Sequence, residues 1–116
     1  MPRVLIVDED LASRKLARTV LEHMGWDAKE FSDAASALAC FREQPIDAVL
    51  IGGLPGYGGL DVCRTMRQAQ NGPLRIVAYT AAAQGEQTAD LLAWGFDDVL
   101  FKPVTISEIQ AAFNRS

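Results

Sequence analysis

Four short runs dominated by valine, isoleucine, leucine and other apolar residues, at positions 3–7, 47–51, 74–79 and 98–101, and a weaker one at 26–31, alternate with segments whose apolar residues return every three or four positions. Short continuous apolar runs suit strands buried on both faces, whereas a period near 3.6 keeps one stripe of a helix against a core. Strand and helix repeated five times call for a parallel sheet covered on both sides, because each right-handed crossover returns its helix over the sheet. The expected fold class is therefore α/β and doubly wound.

The punctuation between the segments supports that division. The first helix is expected over 11–24, with Ala12, Leu16, Val20 and Met24 on one face and Gly25 as its stop. The second brings Ala34, Leu38 and Phe41 together and ends before Pro45. The third aligns Leu60, Cys63 and Met66 and ends at Asn71-Gly72-Pro73. A fourth, around Leu91, Leu92 and Trp94, stops at Gly95. The fifth opens with Thr105-Ile106-Ser107-Glu108, a spacing that permits reciprocal capping of free backbone amides, and turns Ile106, Ile109 and Phe113 inward.

A chain of 116 residues, 49% of them apolar, can bury one core, so residues 1–116 are expected to form a single domain. No internal repeat or linker interrupts it. A formal charge of -4 argues against a free-standing nucleic-acid binder, which needs a basic stripe to displace phosphate counterions, and points to protein partners. No apolar stretch approaches a membrane span, and Met1-Pro2-Arg3 leads straight into a strand without signal-peptide organisation, so a cytoplasmic chain is expected. Cys40 and Cys63 lack the spacing of a metal knuckle or redox pair and read as buried free thiols. His23 has no cluster around it and is assigned a surface or packing role. Trp26, Tyr79 and Trp94 read as core or subunit-contact residues, since no basic residues interleave with them as nucleic-acid stacking would require.

In open sheets of this kind ligands bind beyond the carboxyl ends of the strands, near the point where strand order reverses. That edge would collect Asp8-Glu9-Asp10 after the first run, Gly52-Gly53 after the third, Thr80 after the fourth and Lys102-Pro103 after the fifth. Taken singly, each has a plain reading. The acids suit a helix N-terminus, where negative charge meets the positive end of the dipole. Thr80 suits a strand, and Lys102-Pro103 a turn. The glycines at 52, 53, 56, 58 and 59 match neither GxxxxGK[ST] nor a strand-linked GxGxxG, so they read as a turn-rich loop. Their joint order along one sheet edge carries more weight than any one of them.

As a set, these pieces resemble the receiver domain of two-component response regulators and hybrid histidine kinases, over essentially the whole chain. Val4-Leu5-Ile6-Val7-Asp8-Glu9-Asp10 is similar to the family's opening strand and acidic pair, and Pro55-Gly56-Tyr57-Gly58-Gly59-Leu60 to its loop into the third helix. Ala78-Tyr79-Thr80-Ala81 is similar to its hydroxyl-bearing strand end, and Phe101-Lys102-Pro103 to its lysine motif. The resemblance implies a flavodoxin-like (βα)5 sandwich with strand order 2-1-3-4-5 and helices on both faces. It implies partnership with a histidine kinase or an output domain, and a homodimer through the face from the fourth to the fifth helix, which exposure of Trp94 or Phe113 would support. The last helix reads as short, and a truncation from a longer regulator or hybrid kinase would account for that.

The resemblance further implies a phosphoryl-accepting aspartate after the third strand, with a divalent metal held by the acids at Asp8 and Glu9. Here the sequence departs from the pattern. Counting back from Pro55 reaches Ile51, whereas counting along the strand from Asp47 reaches Gly52, and neither has an oxygen with which to attack phosphorus. Magnesium wants several oxygens in a near-octahedral array, so losing this carboxylate should leave metal binding at Asp8 and Glu9 weak or absent. A carboxylate about 5 Å from a like charge is repelled by roughly 3 kcal/mol at an effective dielectric near 20, so its removal should free Lys102 to pair with Asp8 or Glu9. Val99, three residues before Lys102, stands where the family often has Tyr or Phe, and valine cannot report a change by ring rotation. The expectation is a non-enzymatic, phosphorylation-independent interaction module built on a remnant site of Asp8, Glu9, Gly52, Thr80 and Lys102, with no cofactor. Two alternatives are a receiver using Asp8, Glu9 or Asp10 as substitute acceptor, and a variant that binds a small ligand or anion in the space at Gly52.

Overall fold

In the computed structural model, which describes residues 1–52, 58–81 and 88–114, strands and helices alternate from end to end. The order is β1 (Arg3–Val7), α1 (Leu11–His23), β2 (Asp27–Phe31), α2 (Ala34–Glu43), β3 (Ala48–Ile51), α3 (Gly58–Ala69), β4 (Arg75–Ala81), α4 (Thr88–Ala93), β5 (Asp98–Lys102) and α5 (Ile106–Phe113). All strand pairings are parallel, in the order β2-β1-β3-β4-β5. β1 and β3 are the inner strands around which the order reverses, and nearly all their residues are fully buried, as continuous apolar runs covered on both faces must be. The expected α/β doubly wound sandwich, including its strand order, is what forms.

The sheet separates two apolar clusters that share no residue. On one face Ala17, Val20 and Leu21 of α1 and Ile109, Ala112 and Phe113 of α5 pack on Val4, Ile6, Leu50 and Tyr79. On the other, Ala37 of α2, Val62, Cys63 and Met66 of α3 and Leu91 of α4 pack on Leu5, Val7, Val49 and Ile76. Strand alternation explains the partition, since successive side chains leave opposite faces of the sheet.

Local chemistry fixes the helix ends. Asp10 caps α1 by accepting from the Ser13 amide and hydroxyl, and Asp33 caps α2 through Ser36 in the same way. The Thr105 amide donates to Glu108 Oε1 at 2.9 Å while the Glu108 amide donates to Thr105 Oγ1 at 3.1 Å, the reciprocal cap read from the sequence. Gly25 and Gly95 follow α1 and α4 with φ of +94° and +114°, conformations that favour glycine.

Two inward faces differ from expectation. Ala12 and Leu16 are exposed, and the buried stripe of α1 runs through Ala17, Val20 and Leu21. Four residues over-rotate a 3.6-residue turn by about 40°, so a strict four-residue row spirals off the buried face within three steps. Ile106 is 54% exposed because it is the first residue of α5, whose buried residues begin at Ile109. Cys63 is buried and Cys40 half-buried, both as free thiols.

Candidate functional site

The carboxyl edge of the sheet brings Asp8, Gly52, Thr80 and Lys102 to one side of the molecule, but it does not give them equal roles. The β1–β3 register pairs Val7 with Ile51, and the Gly52 amide donates to the Val7 carbonyl at 2.6 Å, so Gly52 is the residue that follows this pair beside Asp8. Ile51 is buried in the α2–α3 cluster. Of the two expected registers, the structure puts Gly52 at the edge position. Gly53 and the loop residues Pro55, Gly56 and Tyr57 lie outside the described residues.

Asp8 is the centre of the arrangement. It is completely buried, the only charged residue so buried among those described. Its backbone amide donates to the Phe31 carbonyl at 3.1 Å, its Oδ1 accepts from the Asp10 amide at 2.9 Å, and its Oδ2 accepts from Lys102 Nζ at 2.9 Å. Arg14 donates to its carbonyl at 2.8 Å. A buried charge is tolerated only when paired and hydrogen-bonded in this way. The pairing foreseen for Lys102 is thus made with Asp8; Glu9 is exposed.

Lys102 has a second contact that sequence reasoning did not find. Its ammonium lies 4.7 Å from the centroid of the Tyr79 ring, within reach of the electron-rich face. Alternation along β4 places Val77 and Tyr79 on the α1–α5 face, and Ile76 and Ala78 on the other. Tyr79, one residue before the expected Thr80, therefore shares the face of Asp8 and Lys102. Ile76, Val77, Ala78 and Tyr79 are all apolar or aromatic, so the sequence alone does not say which of them share that face. Thr80 is half-buried and pairs with Phe101 across the sheet. Val99 is buried in the opposite cluster with Leu91 and Phe96.

The three adjacent acids thus do different things. Asp10 follows the plain reading as a helix cap, and the hydrogen bonds from the Ser13 hydroxyl and amide hold its carboxyl below the ordinary aspartate value. Asp8 is committed to Lys102 and the Asp10 amide. Among the described residues no three acidic, histidine or cysteine side chains gather as a cation would need. A hard dication needs about six oxygens, whereas here Asp10 caps a helix, Asp8 is bonded to an ammonium, Glu9 is exposed and residue 52 supplies no side chain.

Nor is the position of Gly52 an open space. A β-carbon built there would stand 2.6 Å from Asp8 Cγ and 3.0 Å from Asp8 Cβ, with Oδ2 closer still. The Asp8 carboxylate fills that volume. A shallow groove beside the pair, lined by Ala12, Ser13, Leu16, Tyr79, Lys102, Pro103 and Val104, opens between α1 and the β5–α5 turn.

Comparison with known proteins agrees with this architecture. Residues 4–114 match the family model of the response regulator receiver domain. The chain is 38% identical to the sensor histidine kinase GacS of Pseudomonas protegens over 96% of its own length and 12% of the kinase. It is 36% identical to the DNA-binding response regulator MtrA of Mycobacterium tuberculosis over 94% of its own length and 47% of the regulator. The chain therefore spans about a tenth to a half of the curated relatives it matches. Among solved structures, the chemotaxis response regulator CheY4 of Vibrio cholerae superposes with a TM-score of 0.86 at 23% identity, covering 99% of this chain and 98% of that one. The chain belongs to the response regulator receiver domain family of two-component signalling.

Proposed function

We propose that this receiver domain acts by protein contact, without aspartate phosphorylation and without catalysis of its own. One observation carries the reading: the residue beside Asp8 at the end of β3 is glycine, and the Asp8 carboxylate lies against it, paired with Lys102. An acyl phosphate forms by carboxylate attack on phosphorus, and Gly52 has nothing to attack with. Lys102 already has a carboxylate and an aromatic ring as partners, so the arrangement needs neither phosphate nor metal to hold it. Magnesium binding is accordingly weak or absent in this proposal.

The two alternatives have less support. A substitute acceptor at Asp8 would need a fully buried carboxylate with both oxygens engaged to turn toward a phosphoryl donor; Asp10 is held as the cap of α1, which leaves exposed Glu9 as the acid free for that reading. A small ligand at Gly52 would have to displace that same carboxylate. The domain is read as a cytoplasmic module, with a histidine kinase or an output domain as its partner and no nucleic acid bound by this unit. For a homodimer through the α4–α5 face, Leu92 of α4 is 44% exposed but Phe113 is buried, and Trp94, 46% exposed, is covered on one side by Arg64 of α3.

Intact mass after incubation with acetyl phosphate and magnesium tests the proposal. An unchanged mass, with amide chemical shifts around Lys102 undisturbed by beryllofluoride, is the expected result. A stable phosphoryl adduct would overturn it.

A further inference from the structure

We infer that Gly52 and Asp8 form a steric interlock: the Asp8 carboxylate occupies the volume into which any side chain at position 52 would grow. The loss of the carboxylate at 52 is thereby fixed from inside the fold. This deepens the reading of the site proposed above, and rests on taking 52 as the acceptor position.

Neither partner can give way cheaply. The Gly52 backbone is pinned to β1 by the hydrogen bond its amide donates to the Val7 carbonyl, and the Asp8 backbone to β2 by the one its amide donates to the Phe31 carbonyl. The overlap is therefore between a fixed Cβ position and a side chain, and relief requires the Asp8 carboxylate to swing. That carboxylate is fully buried and held at one oxygen by the Asp10 amide and at the other by Lys102. Lys102 is in turn backed by the Tyr79 ring, so a swing of Asp8 also strands the ammonium. Contacts of 2.6 Å and 3.0 Å to Asp8 Cγ and Cβ are closer than packed carbons tolerate. A single substitution that returns a side chain to 52 thus meets a blocked volume, and the pair must change together.

A double-mutant cycle tests this. Gly52→Ala in the wild-type background should lower the melting temperature by about 5–10 °C, the usual effect of overpacking a domain of this size. In an Asp8→Gly background the same substitution should leave melting unchanged within about 2 °C, because the atoms it meets are gone. Asp8→Ala supplies the background if Asp8→Gly does not fold. Equal losses in both backgrounds, or a Gly52→Ala variant that melts with the wild type, would overturn the interlock. The readout is independent of phosphoryl acceptance: a phosphoryl adduct on the wild type would refute the proposed function while leaving the coupling to stand or fall on the melting curves.

Discussion

The rings of Trp26 and Phe113 meet edge to face, with centroids 5.9 Å apart and planes at 83°. Phe113 is the last residue of α5, so this contact ties the chain's final helix to the residue before β2 and completes the α1–α5 cluster. Phe113→Ala should therefore cost about 3–5 kcal/mol, as truncations of buried aromatics do. Urea denaturation should show a large fall in midpoint, with Trp26 emission shifted to the red.

A second fastening lies on the opposite face. Arg67 of α3 donates to the carbonyls of Gly95 at 2.9 Å and Leu74 at 2.7 Å, and to Asp97 at 2.6 Å; Asp97 also accepts from the Ile76 amide at 2.7 Å. One planar cation thus joins α3 to the starts of β4 and β5. Arg67→Ala should destabilise by about 1–3 kcal/mol, and Arg67→Lys should recover less than half of that, since an ammonium cannot reproduce the fork. Chemical denaturation of the three proteins checks both statements.

Acid should weaken the α1–β2 junction. Glu30 is half-buried, which opposes its ionisation, but Lys15, Arg18 and Arg14 donate to its carboxylate and hold it below the ordinary value for glutamate. A carboxyl depressed in the folded state contributes stability above its unfolded pKa and loses that contribution as pH falls through the folded one. Glu30→Gln should thus be less stable than the wild type at neutral pH. The gap should narrow as pH falls through the region of about 4.3, where unfolded glutamate is half protonated. Thermal melts of both proteins across that range measure the difference.

The two tryptophans should behave as opposites. Trp26 is buried, whereas Trp94 is 46% exposed and carries the Arg64 guanidinium 5.2 Å from its ring centroid. Iodide should quench Trp94 and spare Trp26. Trp94→Ala should change folding stability by no more than about 1 kcal/mol, and it should weaken any self-association through the α4 side, as sedimentation would report.

Much of this fold could be read from residue order. Continuous apolar runs in β1 and β3, the terminators at Gly25, Pro45, Gly72 and Gly95, and the Thr105-to-Glu108 cap depend on local chemistry and needed no tertiary information. What escaped was rotation and parity. Ala12 and Leu16 were placed on the buried face of α1 because a four-residue row ignores helical drift. Tyr79 was overlooked beside Thr80 because which face of β4 looks toward Lys102 depends on how the strand sits between β3 and β5. The partner of Lys102 was narrowed to two adjacent acids; burial decided for Asp8. That Asp8 would fill the volume beside Gly52 is a property of two strands brought level, and no local pattern records it.

The division of the interior by the sheet has an evolutionary consequence. Since the α1–α5 cluster and the α2–α3–α4 cluster share no side chain, a volume change on one side can be compensated on that side alone. Each half can drift at its own pace. Lineages descended from this chain could thus remodel the α3–α4 surface around Arg64 and Trp94 while inheriting the Asp8–Lys102 pair unaltered.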